Sequence, residues 1–264
     1  MVQIKIGEQP VSGQRTKESA AVLYTPVLDS LGIAITSGAS PVGTVLTLDD
    51  LQQTFKISRT IAREVMRILE SMKLVRVRRR VGIIVRSPDD WNVFDARIIR
   101  WRLDGPERNA QLRSLTELRI AIEPYAAAAA ANNATAAESL RILELAAEMR
   151  RSGEAGELEM FLELDIEFHS LMLRASCNEM FAALIDVVAE VLAGRTHHGL
   201  MPALPADEAL EAHERIAQAV ADHDPVAAEA GMHDALFEVR DTLAQAALVV
   251  LQTEPTEPTE DKLP

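Results

Sequence analysis

Cysteine, aromatic residues and long apolar runs are all scarce in this chain, and each scarcity excludes a class of protein. Cys177 is its one cysteine, which excludes an internal disulfide and a cysteine-based zinc site. No apolar run reaches the roughly 20 residues of a membrane-spanning helix, and residues 1–14 lack the apolar core of a secretory signal. Aromatic residues make up only 4% while alanine-rich runs recur, which favours helix over sheet. We therefore expect a cytoplasmic, mainly α-helical protein without a membrane partner.

Charge is distributed unevenly along the 264 residues, which carry a net charge of −13. Residues 56–86 contain ten cations and two anions, whereas residues 87–264 contain 14 cations and 33 anions. This asymmetry predicts a small module that binds a polyanion, joined to an acidic domain. A solvated basic face on an ordinary helix is the simpler alternative.

The basic block lies within a pattern typical of a winged helix-turn-helix. Residues 19–37 repeat apolar side chains at helical spacing, and Thr47 is placed to cap a short helix after it. A break at 56–58 leads into a third helix with a marked apolar stripe. The stripe consists of Ile61, Val65, Ile68, Leu69 and Met72. The alternating residues 74–85 then predict a β-hairpin, or wing, with arginines at its tip.

A second face of the third helix carries arginines. Arg59, Arg63 and Arg67 recur every four residues, so they share an exposed face. Thr60 lies between them, and Ser58 is placed as the N-cap. In such modules the third helix enters the major groove of duplex DNA, where arginine grips guanine through two hydrogen bonds. One winged helix reads few base pairs, so we expect a homodimer on double-stranded, pseudo-palindromic operator DNA.

This module resembles the DNA-binding domain of GntR-family regulators over about residues 20–86. The resemblance rests on Ser58-Arg59-Thr60, on Arg63-Glu64 and on the downstream wing glycine, Gly82. It implies a set of DNA-contacting residues: Ser58, Arg59, Thr60, Arg63, Arg67, Arg79, Arg80 and Gly82. One position departs from the family, because Asp49 stands in the second helix where members commonly carry a DNA-contacting arginine.

The remainder of the chain is expected to be a linker helix and then helices alone. Phe94, Ile98 and Trp101 share one helical face, which we expect to pack the DNA-binding domain against the C-terminal part of the chain. Further helices are predicted over residues 109–132, 135–152, 157–175, 178–199, 207–222 and 225–252. The predicted boundaries are a flexible N-terminus at 1–18, the winged helix-turn-helix at 19–87, the linker helix at 88–108, an all-α domain at 109–252 and a disordered acidic tail at 253–264.

The all-α domain resembles the FCD sensor domain of one GntR branch. Three motifs carry the resemblance: Glu117-Leu118-Arg119 with Glu123-Pro124, Asp165-x-x-Phe168-His169 with Asn178, and Glu208-x-x-x-x-His213 with Ala219 and Asp224. The segment from Trp91 to Trp101 is similar to the subgroup that includes galactonate-operon repressors. The resemblance implies an effector-binding domain, and a repressor of sugar-acid catabolism that a small carboxylate effector releases from DNA.

Two histidines and an aspartate of this domain form a candidate metal site. Asp165 and His169 are four residues apart on one helix, and the resemblance adds His213 as a third ligand of Zn²⁺ or a similar ion. The fourth family ligand falls on Ala235, and His233 is expected to face elsewhere. A metal-free pocket, in which these side chains bind the effector directly, is the alternative.

The all-α domain also contains basic side chains that could bind the effector carboxylate. By resemblance Arg119 faces the effector cavity, where it would clamp a carboxylate; a salt bridge to Glu123 or Asp165 is the alternative. Arg195 and His197 offer further donors. The expected effector-binding set is Arg119, Asp165, His169, Arg195, His197 and His213.

Two other classes of protein compete with a ligand-responsive regulator. A metal-dependent enzyme would use Asp165, His169 and His213 for catalysis, with the basic module as an accessory. An architectural DNA-binding protein would need no effector. The sequence offers no paired general acid and base, no nucleophile motif and no phosphate-binding glycine loop, so the favoured interpretation is not an enzyme.

Overall fold

The computed structural model describes residues 13–202 and 204–253, with side chains over 24–202 and 204–242. The chain divides after Gly105 into two compact units. Residues 1–12 of the predicted flexible N-terminus and residues 254–264 of the predicted acidic tail lie outside the described residues. Residues 13–18, which the sequence analysis assigned to the flexible N-terminus, are helical instead. No helix within the described part of the chain is both long and apolar enough to cross a membrane.

The first unit is a winged helix-turn-helix. Its elements are α1 (Gly13–Thr36), β1 (Val45–Leu46), α2 (Leu48–Phe55), α3 (Arg59–Ser71), β2 (Val75–Arg78), β3 (Gly82–Val85), a 3₁₀ turn (Pro88–Asp90) and α4 (Ala96–Leu103). The strands form an antiparallel sheet in the order β1-β3-β2, in which Val75 pairs with Val85 and Leu46 with Ile83. The wing therefore forms where the sequence predicts it, with β1 as an additional short strand.

Side-chain caps fix the starts of α2 and α3. The Thr47 hydroxyl accepts the amide hydrogen of Asp50, and the Asp50 carboxylate accepts the amide hydrogen of Thr47 at 2.8 Å. The Thr47 hydroxyl also donates to the Asp50 carboxylate at 2.7 Å, and this hydrogen bond, together with the one from the Thr47 amide, lowers the pKa of Asp50. Lys56 takes up the left-handed conformation that ends α2, and the Ser58 hydroxyl accepts the amide hydrogen of Ile61. Both predicted caps are confirmed.

The linker helix is shorter than the sequence predicts, and its apolar face is different. Asp95 caps α4, so Phe94 precedes the helix and is 54% exposed instead of sharing a face with Ile98 and Trp101. Those two residues pack into the core of the first unit, and the Trp101 indole nitrogen donates to Asp29 at 3.0 Å. The ring lies against Gly32, where an added Cβ would come within 2.4 Å of it.

The second unit is all-helical over the residues described. Its helices are α5 (Arg108–Asn133), α6 (Ala136–Ala155), α7 (Leu158–Ala175), α8 (Glu179–Ala182), α9 (Ile185–His197), α10 (Asp207–Ala221) and α11 (Pro225–Thr253). The predicted helix at 178–199 is wrong in one respect, since it divides at residues 183–184. There the Leu184 amide donates to the Phe181 carbonyl three residues back, which tightens the backbone into a turn.

Small side chains and arginine ion pairs hold these helices together. Ala127, Ala130 and Ala131 of α5 are buried in the main core, where they allow neighbouring helices to approach closely. Arg141 of α6 binds Glu167 of α7 through two nitrogens, at 2.8 and 2.9 Å. The helices of the second unit are therefore fixed by both apolar packing and charge.

Candidate DNA interface and effector cavity

The DNA-binding residues predicted from the third helix all lie on its exposed surface. The side chains of Ser58, Arg59, Thr60, Arg63 and Arg67 are exposed in the structure. The Ser58 hydroxyl already accepts a backbone hydrogen bond, which makes it a cap as well as a candidate contact. Residues at the start of a recognition helix are those that meet base edges in a major groove, so Arg59, Thr60 and Arg63 are the best placed.

The wing presents a second basic surface. Arg79 and Arg80 occupy the turn between β2 and β3 and are exposed, with Arg80 at a φ of 65°. Gly82 has a φ of 129°, and a Cβ there would lie 2.6 Å from the Leu46 carbonyl oxygen. Gly82 therefore serves the packing of β1 on β3.

One residue that the sequence did not indicate fastens the wing to α3. The Glu70 carboxylate accepts a hydrogen bond at 3.0 Å from the backbone amide of Val77, on β2. Strand β2 lies at the edge of the sheet, so this amide has no partner strand on that side. A contact between a helix side chain and the backbone amide of an edge strand cannot be predicted from the spacing of residues in the sequence.

A cavity of about 170 Å³ lies within the second unit. It is formed by α5, α7, α9, α10, α11 and residues that come after α9. Most of its wall is apolar, with Phe161, Leu192, Met201, Ile216, Met232 and Leu236 among its lining residues. Five predicted site residues line it together: Arg119, Asp165, His169, Arg195 and His213.

The charge of Arg119 is already paired. Its Nε and Nη2 atoms donate to the two Glu123 oxygens at 2.5 and 3.2 Å, and both side chains are 2% exposed. Burial alone would raise the pKa of Glu123, but Arg119 and His169 outweigh it and lower this pKa to about 2. The salt bridge that the sequence left as an alternative is therefore present, and Arg119 lines the cavity with its charge already paired.

Each histidine of the candidate metal site is oriented by a partner on its Nδ1 atom. His169 Nδ1 lies 2.7 Å from a Glu123 oxygen, and His213 Nδ1 lies 2.7 Å from the Ala209 carbonyl oxygen. If Nδ1 donates to these acceptors, the Nε2 atom of each ring presents a lone pair. The two Nε2 atoms lie 3.2 and 3.4 Å from Asp165 Oδ1.

This arrangement fits a cation. Asp165 Oδ1 is buried and receives no well-directed hydrogen bond from the described residues. Burial would raise the pKa of Asp165, but both imidazoles outweigh it and hold the pKa well below its ordinary value. Asp165, His169 and His213 offer ligand atoms within 4.8 Å of one another. Arg119 Nη2 lies 3.3 Å from His169 Nε2, and a proton or a divalent metal would relieve the remaining repulsion between these lone pairs. The Nδ1 partners are those typical of metal-bound histidines.

The fourth ligand position carries no donor side chain in the described structure. Ala235 lines the cavity but has no ligand atom. His233 faces elsewhere as the sequence predicts, being exposed and stacked on Phe237 with ring centroids 4.1 Å apart.

Arg195 is a cation of the cavity wall that forms no salt bridge with any described residue. Its Nε atom is buried without a hydrogen-bond partner in the described chain, and its Nη2 atom lies 3.6 Å from the Met201 sulfur. Burial and the nearby charge of Arg119 lower the pKa of Arg195 to about 10. His197, also predicted for this pocket, is exposed and lies near Glu159 outside the cavity, so that prediction is wrong.

A winged helix-turn-helix joined to a helical domain, whose largely apolar cavity holds a cluster of polar side chains, is the architecture of one class of protein, the transcription regulators. Within this class the chain belongs to the GntR family. The model for bacterial regulatory proteins of the gntR family matches residues 23–85, and the model for the FCD domain matches residues 114–248. Members of this family are regulators and not enzymes, so the metal-dependent enzyme is excluded.

Curated relatives and a solved structure agree with this assignment. The chain is 26% identical to the uncharacterized HTH-type transcriptional regulator YieP of Escherichia coli K12, over 83% of this chain and 94% of YieP. It is 28% identical to the galactonate operon transcriptional repressor of the same strain, over 77% of this chain and 89% of the repressor. The structure of E. coli McbR/YncC shares the fold, with a TM-score of 0.50 and 19% identity over 85% of this chain and 98% of that chain.

Proposed function

We propose that this protein is a repressor that binds operator DNA as a homodimer and leaves it when a small carboxylate enters the cavity. The observation that carries the effector site is Arg195, a guanidinium that forms no salt bridge with a described residue and lines the cavity beside Asp165, His169 and His213. This side chain is only partly exposed and forms no salt bridge with a described residue, so a ligand carboxylate would offset the cost of its partial desolvation.

The cavity chemistry indicates the class of effector. A cavity of about 170 Å³ with a cationic side chain in its wall accommodates a small organic acid. The carboxylate would pair with Arg195, and the polar cluster around His213 would bind hydroxyl groups. A sugar acid such as galactonate or gluconate fits this pattern and agrees with the name of the galactonate operon repressor, with a shorter hydroxy acid as the alternative.

A divalent metal belongs to this proposal as an optional component. Asp165, His169 and His213 would hold it, and it would supply a Lewis-acidic contact for an effector oxygen. The protein side chains would position both groups, with Glu123 and the Ala209 carbonyl fixing the two imidazole rings.

Release from the operator by the effector requires that the effector and the operator bind preferentially to different conformations of the protein. A ligand shifts the DNA-binding equilibrium only by its difference in affinity for those states. We therefore expect the effector to weaken operator binding, and the operator to weaken effector binding by the same factor.

Calorimetry on the full chain tests the effector site. D-galactonate, D-gluconate and L-lactate are titrated into wild type and into Arg195→Met and His169→Ala, with and without Zn²⁺. Arg215→Met is the matched control, because Arg215 is 60% exposed on the outside of α10. We expect one of these acids to bind wild type and the control, and to bind both cavity variants at least about tenfold more weakly. Equal affinity in all four proteins would place the effector elsewhere.

A second experiment tests DNA binding and assembly. Arg59→Ala combined with Arg63→Ala should abolish sequence-selective duplex binding while the circular dichroism spectrum stays that of wild type. Light scattering should give the mass of a dimer. A monomeric mass that persists on adding duplex DNA would contradict the proposed homodimer.

A further inference from the structure

Asp49 brings a carboxylate onto the basic surface of the first unit. It is the second residue of α2, and the adjacent Asp50 is the one that completes the cap with Thr47. The Asp49 Oδ1 atom instead accepts hydrogen bonds from Arg59 Nη1 and from Gln52 Nε2, each at 3.2 Å. The start of α2 is thereby connected to Arg59, the first residue of α3.

Stability does not account for this contact. The side chains of Asp49 and Arg59 are 71% and 58% exposed, and exposed ion pairs contribute between about 0 and 1 kcal/mol. An anion at this position also opposes binding to phosphates, since it reduces the positive charge of the surface that would face DNA. The contact therefore has to be judged by what it does to the orientation of Arg59.

We propose that Asp49 is a positioning residue that holds the Arg59 guanidinium for recognition of a guanine in the major groove. This inference rests on the proposed binding of operator DNA. Arginine carries five N–H donors, and the contact to Asp49 uses one of them at Nη1. The remaining donors suffice for the paired hydrogen bonds to guanine O6 and N7. A long side chain fixed before binding loses less conformational freedom on the DNA, so the selected base is discriminated more strongly.

The test begins with the full wild-type chain and a pool of random duplexes, from which bound sequences are selected. Competition binding then measures, at each position of the selected site, the preference for each base. The variants are Asp49→Ala, Asp49→Asn, Arg59→Ala and the Asp49→Ala/Arg59→Ala double variant. Asp89→Ala is the control, because it removes an exposed carboxylate of the first unit that accepts from the Ser87 hydroxyl and pairs with no predicted DNA-contacting arginine in the described structure.

We expect Asp49→Ala to lose about two- to fivefold of the preference for guanine at one position in each half-site. Asp49→Asn, which keeps an acceptor oxygen, should lose less. Arg59→Ala should lose the same base preference, with no further loss in the double variant. Asp89→Ala should keep every base preference. If Asp49 had only a structural role, its removal would not change the base preference at a single position of the site.

Three outcomes would overturn the inference. Wild-type base preferences in Asp49→Ala would show that Arg59 needs no positioning. Tighter binding of Asp49→Ala to the selected site, with preferences unchanged, would show that Asp49 competes with DNA for Arg59. If wild type selects a sequence, both results leave the proposed DNA binding intact. If wild type selects no sequence, DNA recognition itself is contradicted along with the inference.

Discussion

Replacing Arg195 by methionine should make the ligand-free protein more stable while it abolishes the response to the effector. Most arginine substitutions in a protein interior destabilise because they break an ion pair. Here the guanidinium has no counter-ion in the described chain, so its removal relieves a desolvation cost instead. Methionine keeps much of the apolar stem that packs in the cavity wall.

The size of the effect can be worked out from the pKa of Arg195. A value of about 10 in place of the ordinary guanidinium value corresponds to about 3 kcal/mol against the charged form. The side chain is partly exposed, so solvent reduces this cost, and we expect a gain of about 1–2 kcal/mol in the free energy of unfolding. A chain of this size gains about 2–4 °C in melting temperature per kcal/mol.

Thermal and urea unfolding of the full chain, with and without D-galactonate, would measure both effects. Arg141→Met is a suitable control because Arg141 pairs with Glu167 and two other carboxylates, so its loss should destabilise by about 1 kcal/mol. The reasoning is refuted if Arg195→Met is less stable than wild type, since the guanidinium would then have a partner. Galactonate stabilising this variant as much as wild type would refute the assigned ligand contact.

Three further predictions concern the core and the polar cluster. Glu123→Ala leaves Arg119 buried without a partner and should cost about 3–5 kcal/mol in urea unfolding. Because the folded pKa of Glu123 is about 2, below its ordinary 4.5, the stability it contributes is fully present above pH 4.5; acid titration should show it lost as the pH falls toward 2. Gly32→Ala forces a Cβ against the Trp101 ring and should cost about 1–3 kcal/mol by thermal unfolding. His213→Ala should weaken Zn²⁺ binding at least about tenfold in calorimetry.

Each of these has a control within the chain. Glu123→Gln keeps hydrogen-bonding capacity and should lose the acid-dependent part of the stability. Gly231→Ala meets only the Ile216 side chain at 3.0 Å and should stay within about 1 kcal/mol of wild type. His233→Ala should leave Zn²⁺ binding unchanged, since His233 is exposed. A loss of Zn²⁺ affinity in His233→Ala as large as in His213→Ala would contradict the proposed ligand set.

Periodicity and capping chemistry account for most of the fold. Helix starts at Thr47 and Ser58 were predictable because each cap uses a hydrogen bond within three residues. Strand β1 has only two residues, too few to show alternation. Phe94 was assigned to a helical face because its spacing fits, yet the helix begins only after the Asp95 cap.

The cavity was harder to derive because its chemistry depends on which groups meet in space. Sequence spacing allows Arg119 to pair with Glu123, but it gives no reason for His169 to share the same carboxylate from another helix. Arg195 and His197 are two residues apart on α9, about 200° around the axis, so both cannot face one cavity. Only the packed structure shows that Arg195 lines the cavity and that its charge lacks a counter-ion in the described chain.

The different environments of the two cavity arginines have a practical consequence for redesigning the sensor. Arg119 is neutralised by Glu123, so its substitution would disturb the bundle whatever the new ligand. Arg195 contributes charge without holding helices together. An engineer who wants the regulator to respond to a neutral metabolite should therefore randomise Arg195 with its neighbours Leu200 and Met201, and leave Arg119 and Glu123 untouched. Such libraries should contain a higher fraction of folded variants than libraries that also randomise Arg119 and Glu123. A higher folded fraction makes selection for a new inducer feasible.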